Sequence, residues 1–331
     1  MTKKIALIPG DGIGPEVLSS TVEILNTVLP DIFDFYTIKA GYDYYQESGE
    51  TISEQDLKNL NNMDAVLYAA NTNPPDDPNY KSLTLTLRRS LELFANLRPA
   101  ISLPQIAKYP NVDLTIIREN SEGLYIQDEE SFDSYAVAKR KISTEGSQRI
   151  IRFACEHAIR NNKQRITVVH KANVLRKTCG LFREAAFEVA KEYPTLQVDE
   201  QLVDAMAMEL VLRPEEYEVI VTTNLFGDIL SDLASALVGG LGVAPGANLG
   251  LGTPVFEPVH GSAPDIAGEG IANPTAMILT ATLMLEHFKY NKEAQQIKNA
   301  ISSCLEENDC TVDLGGNLST TGFVEAVRRR V

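Results

Sequence analysis

Tryptophan is absent from the 331 residues, and cysteine and histidine occur only four times each. The cysteines (Cys155, Cys179, Cys304 and Cys310) form no CxxC pair, which excludes a disulfide-stapled scaffold and a cysteine-rich zinc site and points to reduced thiols. Positive charge is also short: 30 Lys+Arg against 45 Asp+Glu leave a net charge of −15 and a pI of about 4.8. Such a surface repels polyphosphates and anionic lipids at long range, so neither nucleic acid nor membrane is an expected partner. A small anion in a local cationic pocket stays possible. Long apolar runs are missing. The opening MTKKIALIPGDG holds an apolar stretch of five residues, too short for a signal peptide. The later stretches 233–245 and 276–285 fall short of the roughly 20 residues a bilayer requires. A cytoplasmic protein is the expectation.

What is present is ordinary globular material: 44% hydrophobic and 23% charged residues, in a length that suits two domains. Short aliphatic runs at 4–8, 65–68, 114–117, 166–169 and 219–223 read as strands. Between them, helical spacing covers 16–28, 144–159, 181–193 and 229–238. Strands alternating with helices predict an α/β fold with much parallel sheet. Residues 131–143, poor in aliphatic side chains, read as an irregular or β-like excursion.

Several constellations could carry chemistry. The loop PGDGIGPE follows a strand and opens a helix, but Pro15 stands where GxGxxG needs its last glycine, so a tight turn explains it without a dinucleotide. In SLTLTLRRSLELFANLRP, Ser82, Leu85, Arg88 and Arg89 can share a helix face, Arg98 falls beyond the helix, and Arg118 ends the 114–117 strand. Clustered guanidiniums would clamp carboxylates or phosphates; taken singly, each could equally pair with a surface acid. In NLFGDILSD, Asp228 and Asp232 are i and i+4, aimed at one point, with Ile229, Leu233 and Leu237 as the adjoining core stripe. Mg²⁺ or Mn²⁺ would offset their repulsion, and Asp204 could add oxygens. Favourable placement in a helix's first turn explains the pair as well. Lys171 and His170 end a strongly apolar strand, and Tyr125 follows a loop bearing Glu119 and Glu122. Lys171 and Tyr125 are proton-transfer candidates. All three also suit structural roles.

Together these segments resemble the β-decarboxylating dehydrogenases, the family of isocitrate, homoisocitrate and 3-isopropylmalate dehydrogenases. The likeness runs nearly end to end: IPGDGIGPE, LRRSLELFANLRP, RENSEGLY, VVHKANVLR, NLFGDILSDLASALVGGLGVAPGAN and EPVHGSAPDIAGEGIANP. It implies a two-domain α/β fold that is not Rossmann. Residues 1–93 with 240–331 would form a large cofactor-side domain. Residues 94–239 would form a small domain carrying the dimer interface, the metal ligands and the catalytic groups, with an arm at about 121–143. The homodimer, or a tetramer built from it, would share its active sites.

The resemblance also implies site roles. Arg88, Arg98 and Arg118 would bind the substrate's carboxylates. Asp228 and Asp232 would hold Mg²⁺ or Mn²⁺, with Asp204 and Lys171 contributed across the dimer. Lys171 would take the hydroxyl proton, hydride would pass to the nicotinamide, CO₂ would leave, and Tyr125 would protonate the enol carbon. The cofactor would lie on His260, Gly261, Ser262, Ala263, Pro264, Asp265, Ile266 and Asn273, with Asn224. The pair Asp265-Ile266 resembles NAD-using members, because a carboxylate accepts from ribose hydroxyls and repels a 2′-phosphate. Ser82 and Thr84, six and four residues before Arg88, would meet the substrate's γ-substituent. Two hydroxyls there favour a γ-carboxylate, hence NAD-dependent oxidation of isocitrate to 2-oxoglutarate in the tricarboxylic acid cycle. Thr84 stands in place of the usual Asn, which keeps homoisocitrate open, with 3-isopropylmalate after it. The alternative of another class is a non-catalytic regulatory subunit of a hetero-oligomeric dehydrogenase.

Overall fold

The computed structural model describes residues 2–331 apart from Pro75 and Pro78. The chain divides into two compact units. One contains Met1–Glu92, Leu103–Ala107 and Gly239–Val331, the other Leu93–Ser102 and Lys108–Val238. Both are α/β.

In the first unit, strand Lys3–Gly10 runs parallel to Phe33–Thr37 on one side and Ala65–Ala70 on the other. Ala65–Ala70 pairs in parallel with Val255–Phe256, which pairs antiparallel with Ala247–Leu249. All of Ala65–Ala70 is buried, as expected of a strand covered on both faces. Helix Thr275–His287 is apolar around most of its circumference, and residues 275–285 are buried accordingly. The glycine-rich loop is a turn forced by close approach. Gly10 and Gly12 have φ of 67° and 58°, and a Cβ on them would stand 1.7 Å from the Ala70 carbonyl oxygen and 2.0 Å from that of Ser262.

In the second unit, Asp113–Glu119, Val219–Thr222, Arg165–His170 and Gln197–Leu202 form parallel pairs in that order. Ala95–Ile101 lies antiparallel to Asp113–Glu119, so Arg98 belongs to a strand. Residues 129–138 make an exposed antiparallel ribbon, Glu129–Ser131 with Ala136–Ala138, where the sequence suggests an irregular excursion. Helix Asn224–Val238 begins earlier than its apolar periodicity indicates, because Gly227 weakens the pattern of its first turn. Its core stripe is Leu230, Ala234, Leu237 and Val238, with Leu233 packed against it; of the expected Ile229, Leu233 and Leu237, only Ile229 falls outside. Ile229 is 58% exposed, a correction that follows from the i, i+4, i+7, i+8 spacing of the buried set.

All four cysteines are free and buried. Among the described residues, no helix is long and apolar enough to cross a membrane.

Candidate active site

A polar cluster of the second unit forms where strands Ala95–Ile101 and Asp113–Glu119 meet helix Asn224–Val238. Because the helix starts at Asn224, Asp228 and Asp232 lie beyond its first turn, so the macrodipole does not account for them. Arg118 reaches Asp228 through Nη1 and holds Asn224 Oδ1 with Nε and Nη2 at 3.1 and 2.7 Å. Arg98 donates to Asp232 at 3.0 Å, Ser231 at 2.8 Å and Asn96 at 2.7 Å. Asn96, two residues before Arg98, shares its face of the strand. That period-two spacing is the signal by which the sequence could have revealed it.

Gly227 makes the arrangement possible. A Cβ there would stand 2.6 Å from the Arg118 side chain, so a larger residue would push the guanidinium off the helix. The Arg118 side chain is 2% exposed, a charge stable in that setting only with its carboxylate and amide partners in place. Tyr125 lies under this guanidinium, 4.9 Å from ring centroid to Cζ, and donates its hydroxyl to Asp228 Oδ2 at 2.5 Å. Burial and the Asp228 hydrogen bond push the Tyr125 hydroxyl up, against the opposing charge of Arg118. The phenol therefore keeps its proton at neutral pH. Burial likewise raises the Asp232 carboxyl; Arg98 opposes this and Asp228 adds to it.

Lys171 and Asp204 form a second group in this unit, joined by an ion pair. The Lys171 hydrogen bond lowers the Asp204 carboxyl. His170 next to it is buried; its Nε2 lies 3.1 Å from Glu200 and its Nδ1 accepts from Ala172 N–H at 3.2 Å. Arg183 pairs with the same Glu200, so His170 is a fixed support of the strand end. Asn224 is fully buried, and its amide donates to the Glu122 carbonyl at 3.0 Å. Its carboxamide thus serves the position of Arg118.

Among the described residues, no group of three or more His, Cys, Asp or Glu could hold a metal ion. Asp228 and Asp232 do supply two hard carboxylates on successive turns, and Mg²⁺ commonly takes one or two carboxylates, completing its shell with water and substrate oxygens. The donor chemistry fits such a site; Asp204, occupied by Lys171, is not gathered into it.

In the first unit, Arg88 is buried on the Leu83–Ser90 helix, bonded to Asn248 at 3.1 Å and Glu257 at 3.2 Å. Arg89 is exposed, so these adjacent arginines do not share a face. Ser82 is the N-cap residue of this helix and Thr84 lies in its first turn. Buried Asp11 accepts from the backbone N–H of Thr72 at 2.8 Å and of Asp43 at 3.1 Å. The Thr72 hydroxyl lies 2.6 Å from that of Ser262, and Ile13 N–H donates to the Ser262 carbonyl at 2.8 Å. The glycine-rich loop thereby buttresses the 260–266 loop.

There, Ile266 N–H donates to the Ala263 carbonyl at 3.2 Å, while Gly261, Pro264 and Asp265 are exposed. His260 Nε2 is buried without a partner among the described residues, an acceptor or donor that a bound adenosine could satisfy. Burial lowers its pKa and keeps the ring neutral. Asn273 donates to Asp313 at 2.9 Å and accepts from Thr275 N–H at 2.9 Å.

The isocitrate/isopropylmalate dehydrogenase family model matches residues 4–327. The chain belongs to that family. It is 48% identical over 329 residues to the 3-isopropylmalate dehydrogenase of Methanothermobacter thermautotrophicus, covering 99% of this chain and 98% of that protein. It is 46% identical over 329 residues to the isocitrate/homoisocitrate dehydrogenase of Thermus thermophilus, with 99% and 98% covered. The crystal structure of isocitrate dehydrogenase from Methylococcus capsulatus superposes with a TM-score of 0.95 at 41% identity, covering 99% of each chain. Membership makes this chain a β-decarboxylating dehydrogenase acting on hydroxy acids. The strand–helix alternation read from the sequence as α/β stands.

Proposed function

We propose that this isocitrate/isopropylmalate dehydrogenase family member oxidises isocitrate to 2-oxoglutarate and CO₂, using NAD and Mg²⁺ or Mn²⁺. The observation that carries the chemistry is the cluster in which Arg98, Arg118 and Tyr125 surround the Asp228–Asp232 pair. Guanidiniums meet the substrate's carboxylates, with Arg88 assigned the same task. Asp228 and Asp232 would hold the cation, joined by Asp204 of the partner subunit. Hydride acceptance and Lewis-acid polarisation of the C2 oxygen are the chemistry that NAD and the cation supply when bound. Lys171 of the partner subunit removes the C2 hydroxyl proton at Nζ. As the carbon–carbon bond to the leaving carboxylate breaks, Tyr125 delivers its proton to the resulting enol carbon.

The 260–266 loop and Asn273 form the adenosine site, and exposed Asp265 accepts from the ribose hydroxyls, favouring NAD over NADP. Asn224 acts through Arg118. The relatives at 48% and 47% identity are 3-isopropylmalate dehydrogenases and the one at 46% is an isocitrate/homoisocitrate dehydrogenase, so similarity leans toward isopropylmalate and the choice of isocitrate rests on the hydroxyls of Ser82 and Thr84. Thr84 also suits homoisocitrate, the second reading. Support for the homodimer comes from apolar side chains left exposed in this unit: Met208, Val211 and Leu212 on helix Val203–Leu212, and Ile229 on helix Asn224–Val238. Exposed apolar side chains of this size favour association when they are contiguous.

Steady-state kinetics with isocitrate, homoisocitrate, 3-isopropylmalate and tartrate, each with NAD and Mg²⁺, test this reading. The highest kcat/KM is expected for isocitrate. Turnover of 3-isopropylmalate far above the rest would overturn the substrate assignment, and a purified homo-oligomer without activity would favour a regulatory subunit.

A further inference from the structure

Asn71 stands just past the end of strand Ala65–Ala70, where its carboxamide bridges two hydroxyl groups in the first unit. Its Nδ2 donates to Thr84 Oγ1 at 3.5 Å, and its Oδ1 accepts from the Tyr80 hydroxyl at 3.5 Å. Tyr80 is itself fixed from two sides. Its ring meets Tyr45 edge-on at 5.2 Å and Tyr42 at 5.8 Å, and the Tyr45 hydroxyl donates to Asp77 at 3.0 Å. Three packed rings therefore hold the donor that orients the Asn71 oxygen.

The Thr84 hydroxyl accepts from the Asn71 amide and has a single hydrogen of its own to give. A primary amide, by contrast, carries two N–H donors, and Thr84 takes one of them. The second hydrogen of Asn71 is thus a donor beside Thr84, on an amide whose rotation is fixed at its oxygen.

We propose that Asn71 is a specificity-determining residue that donates a hydrogen bond to the γ-carboxylate of the substrate, with Thr84 and Tyr80 as its positioning residues. This rests on the reading that Thr84 faces the γ-substituent. A polar donor aimed at that group accepts a carboxylate and disfavours an isopropyl group, which would desolvate the N–H without pairing it.

The test compares kcat/KM for isocitrate and 3-isopropylmalate, with NAD and Mg²⁺, in the full-length wild type, Asn71→Leu and Asn71→Asp. Asn71→Leu keeps the volume and removes the amide. It should lower the isocitrate-to-isopropylmalate ratio about 10- to 100-fold, mainly through KM for isocitrate, with KM for NAD unchanged. Asn71→Asp places a like charge at the γ-carboxylate, so it should raise KM for isocitrate more than KM for 3-isopropylmalate. A wild type that prefers isocitrate, combined with an equal loss on both substrates in the variants, would overturn the role of Asn71 alone. A wild type that prefers 3-isopropylmalate would overturn the isocitrate reading and, with it, the γ-carboxylate as the partner of Asn71.

Discussion

Tyr125 donates its hydroxyl hydrogen to Asp228 at 2.5 Å, and the other oxygen of that carboxylate takes Arg118. One residue of the Asn224–Val238 helix therefore fixes both a proton donor and a buried cation. Burial and the Asp228 hydrogen bond keep the phenol protonated, which the proposed proton transfer from Tyr125 requires. Tyr125→Phe keeps the ring under Arg118 and removes only the hydroxyl. It should reduce kcat about 100-fold while leaving substrate KM within a few-fold, as measured by NADH formation. An unchanged kcat would remove Tyr125 from proton transfer.

Lys171 directly follows the buried strand Arg165–His170 and pairs with Asp204. Lys171→Met retains most of the aliphatic stem but no titratable amine. Turnover should vanish while NAD binding, followed by calorimetric titration, persists. Loss of the folded state, seen as a collapsed thermal transition, would instead give Lys171 a structural role.

The 260–266 loop keeps its turn through the backbone hydrogen bond from Ile266 to Ala263, so side chains at its exposed edge can be exchanged without refolding it. Asp265→Lys combined with Ile266→Tyr should move the NAD-to-NADP ratio of kcat/KM toward NADP by about 100-fold or more, as attraction to the 2′-phosphate replaces repulsion. A ratio within a factor of about two of wild type would contradict the proposed ribose contact.

Glu200 offers a test of stability against pH. The Arg183 hydrogen bond holds its carboxyl below the usual range, burial opposes this, and His170 adds to the lowering. A lowered carboxyl contributes stability above its unfolded pKa of about 4.3 and loses it as pH falls through the lower folded value. The pair is partly exposed, so screening limits the effect: Glu200→Gln should cost about 0.5 kcal/mol at neutral pH. Urea unfolding should show that difference narrowing below about pH 4. A constant difference would mean that packing, not charge, is lost.

Strands such as Ala65–Ala70 and Val219–Thr222 were legible in the sequence because burial on both faces demands short, continuous aliphatic runs. The start of the Asn224–Val238 helix was not, since Gly227 is a poor helix former, chosen by the approach of Arg118 from a strand distant in sequence. The acid pair on that helix was legible from its local i, i+4 spacing. Its partners were not, because Arg118 lies 110 residues from Asp228 and Tyr125 lies 103. Asn71 gave no signal by itself: its meaning depends on Thr84, 13 residues away, and on rings that pack around Tyr80. The glycine-rich loop read correctly as a turn, while its support of Ser262 arose only from the fold.

Metal-assisted oxidative decarboxylation is read most directly from product stoichiometry with isocitrate, NAD and Mg²⁺. NADH and CO₂ should form in equal amounts per isocitrate consumed, both abolished by a chelator and restored by excess Mg²⁺. NADH without CO₂, or equal product formation in the presence of the chelator, would contradict it.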